Sequence, residues 1–245
     1  MKSAESDMGD DLQRARKAIT SGFLKGNGLE VGAGHRPFPV PDHVRIRYGD
    51  IRDRESLESY FKNSEVKTGY KIDAQTFAGL DTGSFDFVIL AHVIEHLRDP
   101  VGSIMHAVRI LKPGAVLILV VPDLLCTFDR NRPETTVEHA LRDYQDGGES
   151  TTRLGYEEHL RYVNPYLTGE YYLEDEIQRQ ATESAKRWRE LDVHFHAWTR
   201  DGFEMLLSAV AELIPFDIEV AEAAINENIF ILRKRLGASG TFLAR

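Results

Sequence analysis

Two glycines one residue apart close a short apolar run, Leu29-Glu30-Val31-Gly32-Ala33-Gly34. Glycine has no Cβ, so a Gly-x-Gly turn at the carboxyl end of a buried strand lets main-chain N–H groups approach a nucleotide or adenosyl group closely. Taken alone the turn has a second reading, a plain tight turn, because His35, Arg36 and Pro37 follow where a dinucleotide fingerprint needs a third glycine. Asp50 stands twenty residues after Glu30, where a carboxylate can take both hydroxyls of a ribose. It could equally open a helix, since Asp50-Ile51-Arg52-Asp53 also carries a helix-start signature. Proton chemistry near neutral pH points to histidine, and two places stand out. One is His92 in His92-Val93-Ile94-Glu95-His96; the other is His194-Phe195-His196, whose alternation sets both imidazoles on one face of an extended segment.

The elements that would position these residues follow from periodicity. Val44 to Tyr48 alternates as a second strand, a third ends at Tyr70 to Ala74, and Phe85 to Ala91 is the near-continuous apolar run of a strand covered on both faces. Asp99 caps a helix with Pro100 at its first position, Lys112-Pro113-Gly114 stops it, and Val116 to Val121 makes a fifth strand. Asp11 to Phe23 reads as a helix able to cap the site, Thr199 caps a helix from Arg200 to Val210, and Phe216 to Val220 with Ile229 to Leu232 closes the chain as an antiparallel hairpin. Strands alternating with helices predict an α/β fold, a doubly wound, Rossmann-like, mostly parallel sheet with ligands outside the carboxyl ends of its strands.

Leu29-Glu30-Val31-Gly32-Ala33-Gly34, Asp50, Asp73-Ala74, Phe85-Asp86-Phe87-Val88, His92-Val93-Ile94-Glu95-His96-Leu97 and Leu111-Lys112-Pro113-Gly114 together resemble the class I S-adenosylmethionine-dependent methyltransferases. The likeness runs from about residue 25 to 123 and is nearest to the branch holding many small-molecule and sugar methyltransferases. It implies seven strands and S-adenosylmethionine as cofactor. Glu30 would sit under the methionine amino group, Gly32, Ala33 and Gly34 beside the cofactor, and Asp50 with Ile51 at the ribose. Asp73 and the Ala74 main chain would meet the adenine edge, and His92 would border the methionine moiety. One departure concerns the crossover after Gly34. About nine residues, including Pro37, Pro39 and Pro41, are too few and too rigid for the usual helix, so His35 and Arg36 are expected to meet the methionine carboxylate instead.

At 245 residues with 42% hydrophobic and 28% charged, the chain can bury one full core as a single domain, with 1–10 and 237–245 expected to be loose. A net charge of −9 opposes nucleic-acid binding, and the lone Cys126 allows no internal disulfide, as suits a reducing cytoplasm. No apolar run is long enough to span a bilayer and no secretion signal stands at Met1 to Asp11. Residues 124–199 are too many for a connection and are expected to form a substrate cap. Six of the nine tyrosines lie there among arginines, a set that suits a sugar or planar phenol, or else packs on the sheet.

Three short patterns are weaker. His92-x-x-Glu95-His96 matches an inverted zinc-protease spacing but sits at a strand end. Asn164-Pro165-Tyr166 is similar to the tripeptide of DNA adenine methyltransferases, but that tripeptide follows the fourth strand, where this chain has His92. A bare His-x-His is more often structural or catalytic than zinc-binding, and no metal is assigned to the site. The expected reaction is O-methylation of a hydroxyl on a sugar or glycosylated small molecule, with His196 as general base and His92 as the other candidate. A phenol or carboxylic acid acceptor, or a regulatory protein that binds the adenosyl cofactor without turnover, are the alternatives; the number of subunits is not readable.

Overall fold

In the computed structural model, residues 4–237 are described. The helix expected from Asp11 begins earlier, as α1 (Ala4–Thr20). There follow β1 (Asn27–Val31), β2 (Arg45–Asp50), α2 (Arg54–Phe61), β3 (Tyr70–Lys71), β4 (Phe85–Ala91), α3 (Pro100–Ile110) and β5 (Leu111–Pro122). The chain then runs through α4 (Val137–Asp146), α5 (Thr152–Glu158), α6 (Asn164–Thr168) and α7 (Glu174–Lys186), and ends with α8 (Arg200–Val210), β6 (Phe216–Ala224) and β7 (Glu227–Lys234). The expectations for residues 1–3 and 238–245 lie outside the described residues.

The strands form one seven-stranded sheet in the order β3-β2-β1-β4-β5-β7-β6. Pairing is parallel from β3 to β5 and antiparallel on both sides of β7. The order reverses direction between β1 and β4, which makes the crevice beyond their carboxyl ends the switch point where such sheets bind ligands. Both faces are covered. Val88, Leu90, Leu117 and Leu119 pack toward α3 and α8 on one side, while Phe87, Ile89, Ile118 and Val120 pack beneath α1 on the other. The alternation follows from strand side chains pointing to opposite faces. Asp99 accepts the Gly102 N–H at 2.7 Å and Thr199 the Gly202 N–H at 3.1 Å, so both predicted helix caps form.

Between Gly34 and β2 there is no helix, as the three prolines dictate. The third strand is shorter than the sequence predicts. It stops at Lys71, because Asp73 turns the chain by accepting the Gln75 N–H through its side chain at 2.8 Å and the Phe77 N–H through its carbonyl at 2.8 Å.

Gly28 on β1 lies opposite Phe87 on β4, and a Cβ there would come within 2.0 Å of that wholly buried ring. Gly28→Ala is therefore expected to overpack the sheet core by about 1–3 kcal/mol, lowering Tm by roughly 2–12 °C in a calorimetric scan.

The excursion between β5 and α8 closes on itself. Asp123 and Trp198 form an isolated parallel bridge, and the Leu124 N–H donates to the Trp198 carbonyl at 2.9 Å. Its small core of Tyr156, Ala181, Val193 and Phe195 is separate from the sheet's. Arg132, buried, holds this region together by bonds to Asp129, Glu158 and the carbonyls of His194 and Phe195. None of the described helices is long and apolar enough to cross a membrane.

Candidate active site

Register brings the predicted residues into one row. Val31 lies beside Gly49 and Leu90, so Gly32, Asp50 and Ala91 follow at one level and His92 comes one residue further. Gly32 has φ +82° and Gly34 φ +54°, the left-handed region that glycine enters without cost. A Cβ at Gly32 would stand 2.5 Å from Val93 Cγ2, and one at Gly34 would be 2.7 Å from the Phe61 ring. The turn therefore passes closely between the segments after β4 and α2, and its backbone is what it can offer a ligand.

Glu30 is buried beneath this turn, with both carboxylate oxygens accepting the Phe38 N–H, at 2.9 and 3.1 Å. Burial pushes its carboxyl from the ordinary 4.5 up to about 7, against the opposing pull of the Phe38 bond and the Arg16 charge. A folded-state value above the unfolded one gives stability that is present below the unfolded pKa and lost as pH rises through about 7. Glu30→Gln removes that loss. Its Tm advantage over the wild-type chain is expected to widen between about pH 5 and pH 8 in parallel thermal melts; an advantage that stays level would refute it.

Asp50 is 7% exposed and accepts the Arg52 N–H at 2.9 Å, while helix α2 is capped by Asp53 instead. Desolvation raises its pKa, more than the Arg52 N–H and charge lower it. Ile51 beside it is an exposed apolar side chain. The His35 ring packs at a tilt against Phe61, 4.8 Å between centroids, and burial followed by the Arg36 charge lowers its pKa. Asp73 lies just past β3, and the Ala74 carbonyl accepts the Ser103 hydroxyl at 2.7 Å.

His92, with φ +54°, ends β4 and its side chain is 39% exposed. Its Nε2 is 2.8 Å from Glu227 Oε2, and Glu227 takes two bonds from Arg16 of α1 at 2.8 and 2.7 Å. Burial raises the Glu227 pKa, but the Arg16 and His92 hydrogen bonds outweigh it and keep the group ionised. A carboxylate there fixes the tautomer: Nε2 carries the proton and Nδ1 the lone pair. The sequence gives no sign of Arg16 or Glu227, which are 211 residues apart.

His196 does not join this group. Its side chain is 2% exposed, stacks on Trp198 at 5.2 Å, and has Nε2 2.9 Å from Asp143 Oδ2. Burial, then the positive charge of His139, holds its pKa well below the usual value. Asp143 also lies 3.2 Å from His139 and accepts the Thr151 hydroxyl, so the cluster ties α4 and α5 to the segment before α8. His196, expected from the sequence as the base, is thus enclosed between α4, α5 and the segment before α8.

Asp192 spans the crevice. It accepts the Tyr60 hydroxyl and His96 Nδ1, each at 2.8 Å, and pairs with Arg52 at 3.4 Å, linking the excursion to α2 and to the segment after β4. Burial opposes its ionisation, but the His96 bond, the Tyr60 bond and the Arg52 charge hold it well below the usual carboxylate range. Of the tyrosines in the excursion, Tyr156 is buried against Phe195 and pushed up to about 12 by desolvation. Tyr162, Tyr166 and Tyr171 instead line a recess of about 380 Å³ with Arg161, whose charge is paired with Glu174; none of the strand-end residues borders it.

A family model for the methyltransferase domain matches residues 2–210. A SAM-dependent methyltransferase from Thermotoga maritima superposes with TM-score 0.53 at 16% identity, covering 93% of this chain and 89% of that one. The PH0226 protein of Pyrococcus horikoshii gives TM-score 0.50 at 16% identity over 96% and 92%. A ubiquinone biosynthesis O-methyltransferase of Xanthomonas oryzae pv. oryzae is 39% identical over 57 residues, 23% of this chain and 24% of that protein. The match thus spans about a quarter of that curated relative's length. With strand order, glycine turn and family match in agreement, the chain belongs to the class I S-adenosylmethionine-dependent methyltransferases.

Proposed function

We propose that this chain transfers the methyl group of S-adenosylmethionine to a hydroxyl oxygen, with His92 taking the hydroxyl proton. The His92–Glu227–Arg16 chain carries this reading: an imidazole at a strand end, part exposed, with Nε2 anchored and the Nδ1 lone pair left to accept a proton. Bound at the glycine turn, the cofactor would supply an electrophilic sulfonium methyl group. Glu30 would face the methionine ammonium, Gly32, Ala33 and Gly34 its main chain, and Asp50 the ribose. Ile51 would lie with Asp50 at the ribose, Asp73 and the Ala74 main chain would meet the adenine, and His35 and Arg36 would meet the carboxylate. The left-handed φ of Gly32 and of Gly34 supports this fit, because it leaves bare main chain at the turn.

The protein then has two tasks, aligning the acceptor oxygen in line with the C–S bond and excluding water. Residues 124–199, closed over the crevice through Asp192, serve as the cap. The tyrosines and arginines of this stretch suit a sugar or glycosylated acceptor. A phenolic acceptor is the second reading, favoured by the matched segment of the ubiquinone O-methyltransferase.

Calorimetric titration with S-adenosylmethionine and S-adenosylhomocysteine, beside nicotinamide cofactors, tests the first half of the proposal. Micromolar binding of the sulfur compounds alone is expected. Transfer of labelled methyl to sugar hydroxyls in preference to phenols and carboxylic acids tests the second, and a chain that binds the cofactor but labels none of the three would be a non-catalytic binder.

A further inference from the structure

Glu95 poses a problem that the methyl-transfer reading does not use. Its residue is 1% exposed, yet neither carboxylate oxygen accepts a hydrogen bond. An ionised carboxylate taken out of water without partners costs several kcal/mol, so a fold keeps one where something compensates it. Around it stand imidazoles at more than hydrogen-bond distance: His92 Nδ1 is 3.8 Å and His96 Nε2 3.9 Å from Oε1. One ligand atom each from Glu95, His96 and His194 lies within 4.8 Å of the others.

The outer contacts of both histidines have the form that metal ligands take. His96 Nδ1 is held by Asp192 Oδ1 at 2.8 Å and the Val193 carbonyl at 3.1 Å. His194 Nδ1 is held by Asp129 Oδ2 at 2.6 Å, and Asp129 is itself paired with Arg132 at 3.1 Å. Each carboxylate fixes its ring's tautomer and leaves Nε2 as the nitrogen free to ligate, the second layer of contacts that orients metal-bound imidazoles. The meeting of these distant segments is not accidental. The Glu95 carbonyl accepts the N–H groups of Phe195, at 2.8 Å, and His196, at 3.2 Å, which clamps the His-x-His segment against the strand end.

A second cluster, His139, Asp143 and His196, also has metal-like composition, but there the carboxylate already accepts from a histidine and a hydroxyl. Its acid is thus already satisfied, although His196 Nδ1 is buried without a hydrogen-bond partner. The Glu95 carboxylate has no such bonds, and the His96 side chain beside it, 30% exposed, gives an ion a way in.

We propose that Glu95, His96 and His194 bind one divalent transition-metal ion of the Zn²⁺, Co²⁺ or Mn²⁺ class. Two imidazoles and one carboxylate suit such ions better than Mg²⁺ or Ca²⁺, which take oxygen ligands. A cation about 2.1 Å from each ligand closes gaps of this size with small side-chain movements. Three protein ligands leave positions open, and His92 stands on that rim. The ion's part in catalysis, holding the acceptor oxygen beside His92, rests on the proposed O-methylation; its binding does not.

The test uses the full chain, stripped with a chelator and titrated with Co²⁺ by visible absorption and with Zn²⁺ by calorimetry. One ion per chain at micromolar or tighter affinity is expected, weakened ~100-fold in Glu95→Gln and in His194→Gln and unchanged in His139→Gln. Circular dichroism and S-adenosylhomocysteine titration serve to check that the glutamine variants remain folded. No stoichiometric binding by the wild-type chain, binding that survives in both folded glutamine variants, or binding lost in His139→Gln would each overturn the site. Metal binding without methyl transfer would instead defeat only the proposed activity.

Discussion

His92→Ala is expected to lower methyl transfer by ~10²–10⁴ while changing affinity for S-adenosylhomocysteine by less than about threefold. The magnitude is that of a positioned general base, and the asymmetry follows from the proposed roles: His92 would take the acceptor's proton, whereas cofactor contacts are assigned to Gly32, Asp50 and their neighbours. Glu227→Gln should give a smaller loss, on the order of tenfold, because a neutral amide still accepts the Nε2 proton but stabilises the imidazolium less. It also weakens the bidentate Arg16 pair, so Tm should fall with it. His196→Ala should behave in the opposite way. Removing a stacked, hydrogen-bonded ring from the interior costs ~1–3 kcal/mol of stability and leaves turnover per folded molecule near normal. Steady-state kinetics with melts on all three variants separate the two histidines, and a collapse of kcat in folded His196→Ala with normal turnover in His92→Ala would reverse the assignment.

The enclosure of His196 was not readable in the sequence, for a physical reason. The alternation of His194-Phe195-His196 predicts an extended segment, but the chain bends at Phe195, and the pattern cannot show that the two imidazoles find separate acids, Asp129 and Asp143, 65 and 53 residues away. Local patterns were readable where the determinants are local. The Gly-x-Gly turn, the apolar run of β4, the Asp99 and Thr199 caps and the proline-stiffened link after Gly34 each depend on a few adjacent residues, and all are present. Parallel pairing could be inferred only from the alternation of strands and helices, and it orders five strands as that pattern predicts. What stayed hidden were contacts closed by the fold: Arg16 to Glu227 to His92 across three elements, and Asp192 reaching back to Tyr60, Arg52 and His96. Charged residues in a chain with 28% of them give no signal of which pairs will be buried together. The tyrosine-rich composition of residues 124–199 shows the same limit, since Tyr156 serves packing and Tyr171 faces solvent.

Asp50→Ala is expected to weaken S-adenosylmethionine by ~10²–10³ while leaving nicotinamide cofactors as poor ligands as before. Two charge-assisted bonds to ribose hydroxyls, each worth about 1.5–3 kcal/mol, account for that range after part is regained by solvent. The position of Asp50 makes the experiment unusually clean. Desolvation raises its pKa, so in the apo chain the ionised group opposes folding, and the stability associated with its protonated form is lost as pH rises through the folded-state value. Asp50→Asn keeps an acceptor for the Arg52 N–H and removes the buried charge. It should therefore melt at or above the wild-type temperature at pH 8 and still bind the cofactor at least about tenfold more weakly. A contact that only shaped the start of α2 would give the reverse, a less stable chain with unaltered affinity, and Asp53 already caps that helix through the Ser56 N–H at 2.8 Å. Calorimetric binding and thermal melts on one preparation decide between the two, because a ligand-binding carboxylate kept in place at the expense of stability must move the two measurements in opposite directions.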